Sequence, residues 1–145
     1  MYRLIVKRIL RGAYRQMSSG NYESVVKKFG PGSVFEFAGT HELGGERRGI
    51  DEVREVFQRM FDRFPDLRLE PKAILVNGMP WNTVVAVRFV VRATVAGEPY
   101  RNEGMQFLRL RFGRVVEDRL YEDTQKLAAA LERVAKERAD LTAAA

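Results

Sequence analysis

The chain has 145 residues, of which 46% are hydrophobic and 30% charged, and it contains no cysteine. This length and composition predict one soluble globular domain over residues 1–145, and they exclude a disordered or collagen-like chain. Disulfides and thiolate chemistry are excluded, and the single histidine, His41, excludes a multi-histidine metal centre. We therefore expect no metal and no cofactor, and any chemistry must use carboxyl, amide, hydroxyl and guanidinium groups.

The net charge of +6 is concentrated at the N-terminus. Beyond residue 28 the chain has 18 basic and 18 acidic residues, so most of the domain is neutral and lacks the basic surface expected of a nucleic-acid-binding protein. The longest early apolar run has only three residues, too few for a signal peptide or a membrane span. We expect a cytoplasmic protein without a nucleic-acid or membrane partner. The N-terminal cations are Arg3, Lys7, Arg8, Arg11, Arg15, Lys27 and Lys28.

Helical spacing dominates the first part of the chain. Apolar residues recur every three or four positions from Tyr2 to Met17, which predicts an amphipathic helix. We expect it to pack on the core with its cations in water, and a membrane-surface helix is the alternative. A second, short helix is predicted over residues 22–29, ended by Gly30-Pro31-Gly32.

The middle of the chain alternates like β-structure. A strand is predicted over residues 33–37, a mobile glycine-rich loop over 39–49, and a helix over 50–64 that Pro65 stops. Four strands follow, over residues 67–76, 81–95, 100–112 and 115–121, joined by short turns. A last helix begins at about Thr124. Its predicted apolar stripe consists of Leu127, Leu131, Val134 and Leu141.

Sequential strands joined by short turns predict an α+β domain, in which helices cover one side of an antiparallel sheet. Strands of this length twist and curl, so the helices can close a conical pocket against the curved face.

Several short strings carry a family resemblance: Phe35-Glu36-Phe37-Ala38-Gly39-Thr40-His41, Gly45, Arg48-Gly49, residues 104–110 and residues 113–117. Together they resemble SnoaL-like proteins of the ketosteroid isomerase and nuclear transport factor 2-like superfamily. The similarity covers roughly residues 5 to 127, and it implies the cone-shaped, cystatin-like roll of that superfamily. It also implies cyclase, isomerase or epoxide hydrolase activity on small apolar molecules, and a homodimer.

The resemblance places the catalytic positions of known members on residues that lack their chemistry. Phe37 stands where steroid isomerases have their aspartate base, and Gln106 stands where their second acid lies. Their oxyanion tyrosine would fall on Ala13, one residue before Tyr14. The last-strand acid of cyclases and epoxide hydrolases would fall on Leu120.

Strand alternation gives an independent expectation for the last two strands. Even-numbered residues between Tyr100 and Phe112 should face the apolar interior, and Asp118 should do so in the final strand. An inward carboxyl between apolar neighbours has a raised pKa and suits general acid–base catalysis, whereas a buried structural carboxyl is the alternative. Gln106 could hold a substrate oxygen, or it could be satisfied by its neighbours.

Further candidates surround these two residues. His41 could serve as a base at the pocket mouth or be a solvated loop residue. Ligand contacts are predicted for one tyrosine, one asparagine and three apolar residues, each of which could instead belong to the core. These ligand-binding candidates are Tyr14, Phe37, Trp81, Asn102 and Leu120.

Arginines are predicted to cluster on the outer face of the sheet, which could be a solvated surface with interleaved acids or a subunit interface. The sequence thus predicts a SnoaL-like protein that binds a small hydrophobic molecule. The enzyme hypothesis is cofactor-independent cyclisation, isomerisation or epoxide opening, with Asp118 and Gln106 as the central residues. A non-catalytic ligand-binding protein or a protein-interaction module of the same fold is the alternative. The outer-face arginines are Arg88, Arg92, Arg101, Arg109 and Arg111.

Overall fold

A computed structural model describes all residues, Met1–Ala145. Four helices and one six-stranded sheet form an α+β fold, and the strands are ordered β2-β1-β6-β5-β4-β3. The elements in chain order are α1 (Tyr2–Ser18), α2 (Glu23–Val26), β1 (Phe29–Phe37), β2 (Gly45–Arg48), α3 (Gly49–Arg63), β3 (Arg68–Met79), β4 (Asn82–Val95), β5 (Glu98–Arg111), β6 (Arg114–Glu122) and α4 (Thr124–Ala144).

The helices bury the faces that their apolar spacing predicts. In α1, Val6, Leu10, Tyr14 and Met17 are buried against the sheet, while its arginines are exposed. Helix α3 presents an apolar stripe of the same kind to β1, and it ends just before Pro65, where the proline disfavours helical backbone in the preceding residue. The packing helix predicted at the N-terminus is confirmed.

The last helix, α4, is only partly packed. Leu127, Leu131 and Val134 are buried, but Leu141, predicted to continue this stripe, is 65% exposed. The prediction for Leu141 was wrong because the helix extends beyond the surface against which it packs. None of the four helices combines the length and hydrophobicity needed to cross a bilayer.

Strands β3 to β6 form an antiparallel meander in which successive side chains alternate between the helix-covered face and the outer face. Two features of the sheet depart from prediction. β1 pairs with β6 in parallel, from Val34 opposite Glu117 to Phe37 opposite Leu120. The segment predicted as a mobile loop contains β2, whose four residues pair with the end of β1. Its side chains show no apolar alternation, so nothing in the pattern indicated a strand.

The helix predicted over residues 22–29 ends earlier, at Val26, and the strand predicted from residue 33 begins at Phe29, so residues 30–32 belong to β1. The register of β1 against β6 shifts between Phe29 and Val34, which accommodates Gly32 with its φ of 70°. Phe35 and Phe37 then point toward the helices and are buried.

The outer face of the sheet carries alternating charges. Arg119 pairs with Glu117 at 2.6 Å and with Glu36 at 3.1 Å, and Arg101 pairs with Glu103 at 2.9 Å. Acids therefore interleave part of this surface, which lowers the repulsion between like charges there, but Arg92 lies directly opposite Arg68 on β3 and Arg101 on β5 and forms no ion pair.

Candidate functional site

A cavity lies between the inner face of the sheet and the helices. It measures about 120 Å³, and 23 of its 28 lining residues are hydrophobic. Residues from α1 and α3 cover it, Leu127 of α4 borders it, and the inner faces of β1, β4, β5 and β6 form its wall. Such an apolar enclosure with few polar groups is the usual form of a site for a small hydrophobic molecule.

Strand β6 supplies both carboxyl groups of the cavity. Asp118, Leu120 and Glu122 alternate with outward-facing residues, and all three line the cavity. The period of two in an extended strand thus places two carboxyl groups, separated by a leucine, on one apolar wall.

Asp118 is 4% exposed. Burial raises the pKa of its carboxyl group to about 7, and the hydrogen bond from Gln106 opposes this shift. The carboxyl group is therefore close to half-ionised at neutral pH, the condition under which one group can both accept and donate a proton.

Three side chains form a hydrogen-bonded row from α1 to β6. The Tyr14 hydroxyl donates to Gln106 Oε1 at 2.7 Å, and Gln106 Nε2 donates to Asp118 Oδ1 at 2.9 Å. Burial, together with the charges of Asp118 and Glu122, raises the pKa of Tyr14 well above its usual value, so its hydroxyl stays a neutral donor. The row fixes the Asp118 carboxyl group by Oδ1 and leaves Oδ2 without a protein hydrogen-bond donor.

The hydrogen bonds of Gln106 bear on the two roles considered for it. Both ends of its amide bond to neighbouring side chains, so Gln106 positions Asp118. The second hydrogen of Nε2 has no protein acceptor, so the role of Gln106 as a donor to a substrate oxygen stays a prediction.

Glu122 is a site residue that the sequence analysis missed. It lines the cavity near the end of β6, and burial raises the pKa of its carboxyl group to about 7. Its Oε1 lies 3.3 Å from Asn102 Nδ2, which donates to it. Extending the strand alternation from Asp118 by four residues would have found it, but the predicted strand ended one residue too early.

The other predicted ligand contacts divide into two groups. Phe37 and Leu120 line the cavity together with Tyr14. Asn102 is buried but does not line the cavity, and its Nδ2 contacts Tyr100 Oη at 3.0 Å and the Asp123 carbonyl oxygen at 3.0 Å. Asn102 therefore holds Glu122 by a hydrogen bond without being part of the cavity lining.

Trp81 does not line the cavity, contrary to the prediction. It lies in the turn between β3 and β4 and is 57% exposed. The strand begins one residue later than predicted, so the side chain belongs to the turn and not to the inner face.

His41 is also outside the cavity wall. Its Nε2 lies 2.9 Å from the Ala38 carbonyl oxygen, and its Nδ1 accepts the Leu43 backbone N–H at 3.2 Å. These contacts fit the neutral tautomer protonated at Nε2, with both nitrogens occupied. The ring also packs edge-on against Phe37, at 5.0 Å between centroids. His41 thus fixes the loop beside β1, and it is neither a free base at the mouth nor a solvated histidine.

The exposed members of the cavity lining indicate where the cavity opens. Ile9 of α1, Lys28 before β1 and Gly113 in the β5–β6 turn line it and are exposed. Lys28 is the one basic residue of the lining. No group of three histidine, aspartate or glutamate side chains is arranged to hold a metal ion.

A family model for the SnoaL-like domain matches residues 10–118. The chain belongs to this family. The match extends from the middle of α1 to Asp118, so it includes the complete Tyr14–Gln106–Asp118 row. No curated protein matches the chain.

Solved structures share the SnoaL-like fold of this chain. Wild-type IdmH of Streptomyces antibioticus, described as a candidate polyketide cyclase, is 25% identical with a TM-score of 0.69, and the alignment covers 87% of this chain and 97% of IdmH. A loop-truncation variant of IdmH is 27% identical, with a TM-score of 0.70 over 86% of this chain and 98% of the variant. A protein with a cystatin-like fold from Xanthomonas campestris is 19% identical, with a TM-score of 0.73 over 86% and 95% of the two chains.

Proposed function

We propose that this SnoaL-like domain is a cofactor-independent acid–base enzyme of the cyclase or isomerase type, which acts on a small hydrophobic molecule inside the cavity. The buried carboxyl group of Asp118, fixed by Gln106 in an apolar wall, is the observation that supports this most directly. The similarity to IdmH, a candidate polyketide cyclase, points to the same class of reaction.

Asp118 is the proton-transfer group in this proposal. Its ionised carboxylate takes a proton from a carbon next to a substrate carbonyl, and the resulting acid returns a proton to another atom of the substrate. The two steps balance without an added oxidant or reductant. The Gln106 N–H stabilises the ionised form of Asp118, and the neutral Tyr14 hydroxyl holds the Gln106 amide in place.

The cavity limits the size of the substrate. Its volume of about 120 Å³ is close to that of engineered cavities of roughly 150 Å³ that bind benzene. A compound with one ring fits this conformation, whereas a larger one must displace residues such as Ile9 at the opening.

A ligand screen followed by turnover assays tests the proposal. Thermal unfolding is recorded with bicyclic ketones, terpenoid epoxides and small phenolic polyketides, and compounds that raise the unfolding temperature are assayed for conversion. The wild type should convert at least one of them, and Asp118→Asn should bind it with similar affinity but turn it over at least a hundredfold more slowly. Equal turnover by both proteins would contradict the role of Asp118.

A non-catalytic ligand-binding protein is the second candidate. The engaged amide of Gln106 favours it, because bonds at both ends of this amide leave a single Nε2 N–H to stabilise an oxyanion. In that case the same compounds would bind to the wild type without conversion, and Asp118→Asn would change only the pH dependence of binding.

A further inference from the structure

The cavity contains a second carboxyl group that the proposed chemistry of Asp118 does not use. Glu122 lies four residues beyond Asp118 on the same face of β6, about 13 Å away between Cα atoms at the rise of an extended strand. Both side chains line the cavity, with Leu120 between them. Tyr14 lies close enough to both carboxyl groups for each of their charges to raise the pKa of its hydroxyl.

The backbone around Glu122 is shaped to accommodate this side chain. Gly104 is its partner on β5, and a Cβ at Gly104 would lie 2.8 Å from Glu122 Cγ and 2.6 Å from Phe89 Cζ. Real Cβ atoms do not approach so closely, and the backbone oxygen of Tyr121 would also lie 2.7 Å away. Glycine at position 104 thus makes room for the backbone of β6 as well as for Glu122 beside Phe89. The Asn102 amide then holds the carboxyl group by Oε1.

The position of Glu122 lowers the stability of its ionised form. Glu122 forms no ion pair, and an unpaired carboxyl group next to an apolar cavity costs free energy when it ionises. Its pKa of about 7 keeps the protonated form present at neutral pH, and that form can donate a hydrogen bond and a proton to a substrate oxygen.

We infer that Glu122 is a second catalytic group, an inference that rests on the proposed acid–base function. Glu122 is the general acid that protonates an oxygen of the substrate, while Asp118 removes a proton from carbon. The assignment of roles follows from the donors: the Gln106 N–H contacts Asp118 at 2.9 Å and favours its carboxylate, whereas the Asn102 N–H is 3.3 Å from Glu122 and is shared with two other acceptors. The substrate class is therefore a hydrophobic molecule with an acidic C–H group and an oxygen that gains a proton in the same reaction, such as an enolisable ketone.

Ring opening of benzisoxazole provides a probe with separate readouts for the two groups. A base removes the ring C–H proton, the C≡N bond forms, the N–O bond breaks with its electron pair going to oxygen, and the acid protonates the resulting phenolate. Benzisoxazole has a basic leaving oxygen that benefits from an acid. Its nitro derivative has a weakly basic leaving oxygen that needs little help, so the ratio of the two rates reports on the acid.

Five proteins, the wild type and four variants, are compared at neutral pH with both probes. Glu122→Gln should lower kcat for benzisoxazole about a hundredfold, with a much smaller loss for the nitro compound. Asp118→Asn should lower both rates by the same factor. Glu122→Asp, which keeps the acid, should recover part of the benzisoxazole rate, and Glu103→Gln on the outer face of β5 should match the wild type. Thermal unfolding of each variant verifies that it is folded.

The outcomes separate the two proposals. If Glu122→Gln changes both rates equally or neither, while Asp118→Asn lowers both, Glu122 is not the acid and the role of Asp118 stands. If the wild type is no faster than Asp118→Asn on either probe, the proposed function fails, and the inference about Glu122 fails with it.

Discussion

Gln106 Nε2 donates to Asp118 Oδ1 at 2.9 Å across the β5–β6 pair. Gln106 is directly opposite Leu120, and Asp118 is opposite Leu108, so the two polar residues are diagonal neighbours on one face of the sheet. Tyr14 reaches the same amide from α1. A helix and two strands therefore fix a single carboxyl group, and the following predictions depend on this arrangement.

Asp118→Asn is expected to make the protein more stable at pH 8. The pKa of Asp118 is about 7 in the folded protein and about 3.9 in an unfolded chain. Below about pH 3.9 both states are protonated. Between about pH 3.9 and pH 7, Asp118 loses its proton in the unfolded state but keeps it in the folded state. The free energy of unfolding of the wild type therefore falls as the pH rises, by about 4 kcal/mol once the pH passes 7.

The asparagine removes this dependence and keeps an acceptor for Gln106. Urea unfolding is measured at pH 4, 6 and 8. The free energy of unfolding of the variant should exceed that of the wild type by an amount that grows with pH, reaching about 2–4 kcal/mol at pH 8. A constant difference between the two proteins over this range would show that Asp118 has an ordinary pKa.

Tyr14→Phe should lower both stability and activity. The substitution removes the hydroxyl donor and leaves Gln106 Oε1 without a partner in a buried position, which costs about 1–3 kcal/mol. Turnover should fall because the amide no longer holds Asp118 in one orientation. Tyr22→Phe is the matched control, since Tyr22 stacks on Phe61 and its hydroxyl forms no hydrogen bond. Thermal unfolding and turnover of the two variants should differ clearly.

Leu120→Trp should block ligand binding without removing an ionisable group. Leu120 lines the cavity between Asp118 and Glu122, so the larger indole would occupy the space intended for a ligand. Tyr121→Trp, on the outer face of the same strand, is the control. Calorimetric titration with a ligand that binds the wild type should detect binding to the control only. Unchanged affinity in Leu120→Trp would place the ligand elsewhere.

A homodimer through the outer face of the sheet is expected. Apolar side chains are exposed there among the paired charges: Leu75, Met105 and Tyr121, the last two directly opposite each other on β5 and β6. Sedimentation at tens of micromolar should give a dimer, and Met105→Glu should shift it toward monomer by burying a charge in the interface. A monomeric wild type would contradict this expectation.

The cations of α1 are expected to have no role in binding a surface. Arg3, Arg8 and Arg11 are exposed, while the opposite side of the helix is buried. Replacing these three residues by glutamine should leave the unfolding temperature nearly unchanged. Neither anionic liposomes nor duplex DNA should bind the wild type at physiological salt. Tight binding that the replacements abolish would assign the helix to an anionic partner.

The sequence by itself determined the larger elements and the direction of most side chains. Helical spacing identified the buried face of α1, and the period of two in strands directed Asp118 and Gln106 inward. These are local properties, set by backbone geometry and by the apolar residues nearby in the chain.

Only the tertiary structure decided how distant residues combine. Tyr14 and Gln106 are 92 positions apart, and no local pattern indicates that their side chains meet. The parallel pairing of β1 with β6, the position of Trp81 outside the cavity and the contacts of His41 with its own loop likewise depend on packing and on exact strand ends. The raised pKa values of Asp118 and Glu122 belong here too, because residues from several elements bury Asp118 and partly bury Glu122.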